Sequence, residues 1–211
     1  MQIEYKERGI WELNDIQFPD LKLKEIPEAR WHPFETSLWK EQRKKLDTQG
    51  GTFEPKYLDF VKELEVQLIE ANKIIREEVY KDKKLIELWP QRLDKIDLMN
   101  GLPAWHILDC PANFKMRDHI DNREVLGVII INLEDNPKGS GTIIGEYQAP
   151  DKKGSGLFFL NSHMTPHRIQ NVSDENRYIF YSSLSIWQLN PLLYSDKWTR
   201  YLEWYRQHEE S

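Results

Sequence analysis

Cysteine is nearly absent. Cys110 stands alone among 211 residues, so no intrachain disulfide can form and a cysteine-rich zinc site is excluded. Long apolar runs are missing as well. No stretch approaches the roughly 20 consecutive apolar residues that a membrane helix needs. The opening segment from Met1 to Ile10 alternates charged with apolar residues and offers no signal-peptide core. Nor is there an excess of positive charge. With 29 Lys and Arg against 35 Asp and Glu, the formal net charge is -6, which argues against non-specific nucleic-acid binding, because that affinity comes from cations displacing counterions around phosphate. Internal repeats and low-complexity tracts are also lacking. These absences point to a cytoplasmic chain with no membrane partner, and they leave oligomeric state open.

Apolar bulk is plentiful. Hydrophobic residues make up 39% of the chain, with eight Trp, nine Tyr and eight Phe, enough for one folded unit spanning residues 1–211. From Tyr57 to Val79 the residues Tyr57, Val61, Leu64, Leu68, Ala71, Ile75 and Val79 recur at steps of three or four, which predicts a long amphipathic helix whose stripe needs a surface to cover. Lys62, Glu63, Glu70, Arg76 and Glu77 form its solvated face. A shorter helix is expected from about Glu35 to Leu46 and another from about Asp196 to Gln207.

Residues 104–187 have strand chemistry. Ala104 to Cys110, Val125 to Leu133, Thr142 to Tyr147, Gly156 to Asn161 and Arg177 to Trp187 are short, rich in β-branched and aromatic residues, and separated by Pro, Asn and Gly clusters. The run Val128 to Ile131 has no polar alternation and suits a strand covered on both faces. The expected fold class is α+β with a mainly β core, a sandwich or jelly roll with N-terminal and C-terminal helices packed on one sheet. Within it, residues 1–100 would give helical support and an entrance, 104–187 the core, and 195–208 a closing helix.

Chemistry concentrates in the core. In extended backbone His119 and Asp121 project to the same side and can grip one ion. His167 follows 46 residues after Asp121, and Arg177 ten residues after His167, opening a strand. Two imidazoles and one carboxylate on one face of a divalent ion leave the opposite face open, the arrangement that non-haem Fe(II) oxygenases use.

His119-x-Asp121, His167 and Arg177, in that order, resemble the 2-oxoglutarate and Fe(II) dependent dioxygenase superfamily, and its prolyl-4-hydroxylase-like branch most closely. Gly139-Ser-Gly-Thr142 is similar to that family's Gly-Gly-x-Thr turn, and Gly156 to Asn161 to the apolar strand before its last ligand. The likeness runs from about Trp105 to Trp187 and implies a double-stranded β-helix. It implies Fe(II) held by His119, Asp121 and His167, and 2-oxoglutarate held at its far carboxylate by Arg177. It further implies dioxygen as co-reactant, ascorbate as stimulant, and hydroxylation of a peptidyl or small-molecule substrate with release of succinate and CO2. A guanidinium suits that role, since it stays charged when desolvated and offers a rigid fork of donors. The branch often has a tyrosine about ten residues before the first ligand, where this chain has Leu108-Asp109-Cys110. Asn132 either takes over part of that role or caps the turn after its strand.

Each residue also has a plainer reading. Asp121 could be a turn acid, His119 a surface histidine and Arg177 a solvated strand start. His163 and His167 would form a zinc pair on a helix, but Pro166 between them argues against it, and His163 reads as a loop residue. Cys110 reads as a small buried filler, Arg123 as solvated, and Trp105, Trp187, Trp198 and Trp204 as packing between helix and sheet; His106 has no evident partner. The main alternative is a non-catalytic cupin-type protein that binds a metal or small ligand. A zinc hydrolase fits less well, because no fourth ligand or general base stands beside the triad.

Overall fold

In the computed structural model of the chain, the described residues are 1–34, 43–47, 55–88, 105–121, 125–136 and 141–185. Their strands are β1 Gln2–Tyr5, β2 Ile10–Asn14, β3 Trp31–Pro33, β4 Lys44–Leu46, β5 Trp105–Cys110, β6 Lys115–His119, β7 Val125–Asn132, β8 Thr142–Ile144, β9 Tyr147–Gln148, β10 Gly156–Leu160, β11 His167–Gln170 and β12 Arg177–Ser185. Two helices, α1 Pro55–Lys81 and α2 Lys83–Leu88, lie between β4 and β5.

All strand pairs are antiparallel and build two sheets, an eight-stranded one in the order β1-β2-β10-β7-β12-β5-β4-β3 and a four-stranded one in the order β6-β11-β8-β9. From β5 onward the chain alternates between them: β5, β7, β10 and β12 enter the large sheet, while β6, β8, β9 and β11 enter the small one. This alternation winds the chain as a double-stranded β-helix.

Strand parity divides the interior into two cores. Leu108, Val128, Ile130, Leu157, Phe159 and Ile179 of the large sheet join Ile144 and Ile169 of the small sheet in a core between the sheets. Their neighbours Ile107, Ile129, Ile131, Phe158, Tyr178 and Phe180 point the other way, into a second core shared with α1. The unalternating run Val128 to Ile131 is therefore buried on both faces.

The helix α1 supplies Tyr57, Phe60, Leu64, Leu68, Ala71, Ile75 and Val79 to that outer core. The expected stripe holds except at its second position, where Phe60 is fully buried and Val61 only half-buried. The ring of Phe60 meets Phe180 of β12 at 6.0 Å, and Trp105 stacks on the same Phe180, also at 6.0 Å. Lys62, Glu63, Glu70 and Glu77 are exposed, as a solvated face requires.

Two expectations need correcting. The helix placed from about Glu35 to Leu46 ends in strand, because Lys44 and Lys45 pair with Asp109 and Leu108 of β5; residues 35–42 lie outside the described ones. The opening residues are not helical either. The segment Ile10-Trp-Glu-Leu-Asn14 sends Ile10 inward and Trp11 and Leu13 outward, and pairs with β10 on one side and with the edge strand β1 on the other. The closing helix expected near residues 196–207, with Trp187, Trp198, Trp204 and Arg123, also falls outside the described residues.

Truncating Phe180 to Ala removes a ring touched from both α1 and β5, and should cost about 3–5 kcal/mol of stability. Urea unfolding measures the loss, and divalent-metal affinity of the folded fraction should stay at the parent value, since Phe180 faces away from the space between the sheets.

Candidate metal centre

Pairing between β6 and β11 sets His167 directly opposite His119, and opposed residues of an antiparallel pair bring their Cβ atoms to about 4.5–5.5 Å. The two rings lie 4.3 Å apart between centroids. Asp121, two residues beyond His119, completes the group. Its Oδ1 is 3.7 Å from His119 Nε2 and 3.9 Å from His167 Nε2. All three ligand atoms fall within 4.8 Å of one another, close enough that a small inward shift of the side chains would set each about 2.0–2.2 Å from one shared ion.

Backbone contacts orient both imidazoles. His119 Nδ1 lies 2.9 Å from the carbonyl oxygen of Arg117, and His167 Nδ1 lies 3.3 Å from that of Thr165. A carbonyl can only accept, so each Nδ1 carries the proton, and Nε2 keeps its lone pair aimed at the shared point. Burial, reinforced by the neighbouring His119, pushes the His167 pKa down to about 3, which keeps that ring neutral at physiological pH. Burial also holds the Asp121 carboxyl above the usual carboxylate range, against the opposing pull of His119 and Arg43. Asp121 Oδ2 is buried and has no hydrogen-bond partner. A carboxyl group with one buried oxygen unpaired and the other 3.7 and 3.9 Å from two Nε2 atoms suits a divalent cation, so the three residues fit a metal.

Asn161 clamps the backbone of Asp121. Its Oδ1 accepts from the Asp121 amide at 2.9 Å, while its Nδ2 donates to the carbonyls of Asp121 at 3.2 Å and Val125 at 2.9 Å. Sequence reasoning gave Asn161 no role, although a polar residue closing an apolar strand was a visible signal. Arg43 was missed as well. It is buried, its guanidinium lies 5.3 Å from the Phe34 ring centroid and 5.8 Å from that of Phe114, and its charge reaches Asp121 and His167. Nothing in the sequence separates this arginine from a solvated one.

Arg177 opens β12 with its side chain on the same side of the strand as Ile179 and Tyr181, both of which pack in the core between the sheets, as strand parity predicts. It is 2% exposed. Nε donates to Asp151 Oδ1 at 2.8 Å, Nη2 to Asn132 Oδ1 at 2.8 Å, and Nη1 has no acceptor. Asn132 holds Arg177 and also binds the turn of residues 150–155, through Nδ2 to the Pro150 carbonyl at 2.8 Å. Gly141 allows this approach: at φ +68° a Cβ built there would stand 3.0 Å from the Ala149 carbonyl oxygen and 3.8 Å from Arg177 Nη2.

The remaining residues singled out in the sequence take ordinary places. Cys110 is fully buried, and burial pushes its thiol pKa up, which makes it unreactive. His163 is exposed. His106 packs against Phe34 at 5.1 Å between ring centroids.

No protein-family model matches the chain, and no curated protein sequence does. Among solved structures the chain is similar to a prolyl hydroxylase from Trichoplax adhaerens in complex with a hypoxia inducible factor oxygen degradation domain peptide fragment. The TM-score is 0.56 at 14% identity, covering 84% of each chain. A Pseudomonas putida prolyl-4-hydroxylase aligns with a TM-score of 0.49 at 14% identity, over 84% of this chain and 92% of that one. The first likeness establishes the fold as that of the Trichoplax enzyme, a double-stranded β-helix.

Replacing Asn161 with Ala frees the backbone that presents Asp121. Metal affinity should fall about ten- to a hundred-fold, the usual effect of removing a group that orients a ligand. Titration with Mn(II), followed by the loss of its free-ion spin-resonance signal, reads the change.

Proposed function

We propose that this chain is a 2-oxoglutarate and Fe(II) dependent oxygenase that hydroxylates an unactivated C–H bond of a peptidyl or small-molecule substrate. The observation that carries the reading is the His119, Asp121 and His167 cluster standing between the sheets of a double-stranded β-helix, with a buried arginine that keeps one donor unpaired. The three residues would hold Fe(II). Arg177, through Nη1, would take the far carboxylate of 2-oxoglutarate. Bound together, iron and cosubstrate supply dioxygen activation coupled to decarboxylation, giving succinate and CO2.

The protein's own part is to position and to exclude water. The carbonyls of Arg117 and Thr165 hold both imidazoles in the tautomer that leaves Nε2 available. Phe159 packs 4.7 Å from His167 between ring centroids and, with Leu157 and Ile179, supplies an apolar wall that limits solvent near the cluster. The Trichoplax neighbour was solved with a peptide fragment, which supports a peptidyl substrate here. We place the activity in one unit of residues 1–211, with 1–100 as support and entrance, 104–187 as core, and a helix at 195–208 packed on the same sheet as α1. A reducing, cytoplasmic setting suits the lone buried Cys110.

One observation favours a different reading. Asp151 already pairs with Arg177, as a purely structural ion pair would, so a non-catalytic cupin-type protein that binds a metal or small ligand is the competing assignment. Succinate release from 2-oxoglutarate with Fe(II) and ascorbate separates the two. The parent chain should release succinate, and Asp121→Ala or His167→Ala should remove both metal retention and release while circular dichroism stays unchanged. Absence of release from the metal-loaded parent, with a panel of peptides and amino acids, decides for the cupin reading.

Removing Arg177 alone would strand the Asp151 carboxylate in the interior, so the informative variant removes both partners. Arg177→Ala with Asp151→Ala should weaken 2-oxoglutarate binding by roughly 3–5 kcal/mol, the scale of a lost buried ion pair. Equilibrium binding to the Mn(II)-loaded protein measures it, and affinity equal to the parent's would take the anchoring role away from Arg177.

A further inference from the structure

Around Arg177 the interior leaves hydrogen-bonding atoms of opposite kinds without partners. Nη1 of Arg177 is a donor with no acceptor, and Oδ2 of Asp151 is an acceptor with no donor. The hydroxyl of Thr142 is also buried and unpaired. Thr142 follows Gly141, whose position beside Arg177 Nη2 is described above, and alternates with Ile143 so as to share the inward side of β8 with Ile144. Buried polar groups are nearly always paired, so unpaired ones on an ion-paired arginine and its partner mark where a ligand can complete the network.

Asp151 is held where it is. Its carbonyl accepts from the Asn136 amide at 3.2 Å. The Pro150 carbonyl before it accepts from Asn132 Nδ2 at 2.8 Å and from Ser155 Oγ at 3.1 Å. With its side chain 4% exposed and Oδ1 at 2.8 Å from Arg177 Nε, the carboxylate is a fixed counter-ion and not a flap that swings aside.

We propose that Asp151 sets the affinity and selectivity of the cosubstrate pocket: it occupies one edge of the Arg177 guanidinium, so that an incoming carboxylate meets a pair already close to neutral. The inference rests on Arg177 being the cosubstrate anchor. Two physical consequences follow from the placement. A carboxylate arriving at Nη1 stands near a second, immovable carboxylate in a poorly screened interior, and like charges there repel. A neutral carboxamide arriving at the same Nη1 still offers an acceptor oxygen and is spared that repulsion. Asp151 therefore weakens the grip on a dicarboxylate and narrows the difference between the acid and its amide.

The test uses the full chain loaded with Mn(II) and titrates 2-oxoglutarate and its 5-carboxamide analogue by calorimetry into the parent and into Asp151→Asn. Asparagine keeps the shape and an acceptor for Arg177 Nε while removing the charge. The variant should bind 2-oxoglutarate on the order of ten- to a hundred-fold more tightly, while the carboxamide analogue gains nothing, so that selectivity turns toward the dicarboxylate. Unchanged or weaker 2-oxoglutarate binding overturns the inference and leaves Asp151 as a support for Arg177. Should neither compound bind either protein while Mn(II) still does, the cosubstrate reading itself falls and takes the inference with it. Asp151→Ser makes the same comparison if the asparagine variant folds poorly.

Discussion

The antiparallel register of β6 and β11, which sets His119 against His167, is the constraint on which the rest of this structure depends. Two imidazoles from distant parts of the chain are held at cross-strand distance by main-chain hydrogen bonds, so their approach does not rely on loop conformation. Asp121 lies just past the end of β6 and needs separate support, which Asn161 provides by clamping its amide and carbonyl. A cluster of two bases and an acid is therefore prepared before any ion arrives, and less ordering entropy is lost on binding.

Division of the interior into two cores separates stability from chemistry. The outer core, where α1 covers the large sheet, is apolar and dense with aromatic contacts among Phe60, Trp105 and Phe180. The core between the sheets is apolar over Leu157, Phe159 and Ile179 but admits His167, Arg177 and Asn132 where chemistry would occur. Because adjacent residues of one strand serve opposite cores, Ile179 lines one while Phe180 fills the other. Substitutions can thus affect folding with little effect on the site, or the reverse.

Burial of Arg177 is the costly feature. A guanidinium out of water is tolerated only when its charge is met and its donors are filled, and here Asp151 and Asn132 meet most of that need. The same pairing that makes the arginine tolerable leaves it less attractive to a second anion. One residue cannot be fully neutralised for stability and fully available for a carboxylate. In the proposed cosubstrate role, the two demands would conflict at this ion pair, where Nη1 and Oδ2 stay unpaired.

Local patterns in the chain determined what depends on local geometry. The three-and-four spacing from Tyr57 to Val79 is realised as α1, and the unalternating Val128 to Ile131 is a strand buried on both faces. These follow from helix and strand periods, which neighbouring residues encode by themselves. Pairings between distant segments were not legible in the same way. The addition of β2 to β10, the conversion of Lys44–Leu46 from expected helix to strand, the clamp of Asn161 on Asp121 across 40 positions and the pairing of Asp151 with Arg177 across 26 were decided by which strands lie side by side. Asn161 and Asp151 are ordinary turn residues in sequence. Only the tertiary structure, by removing them from water and placing one partner within reach, decided what their side chains do.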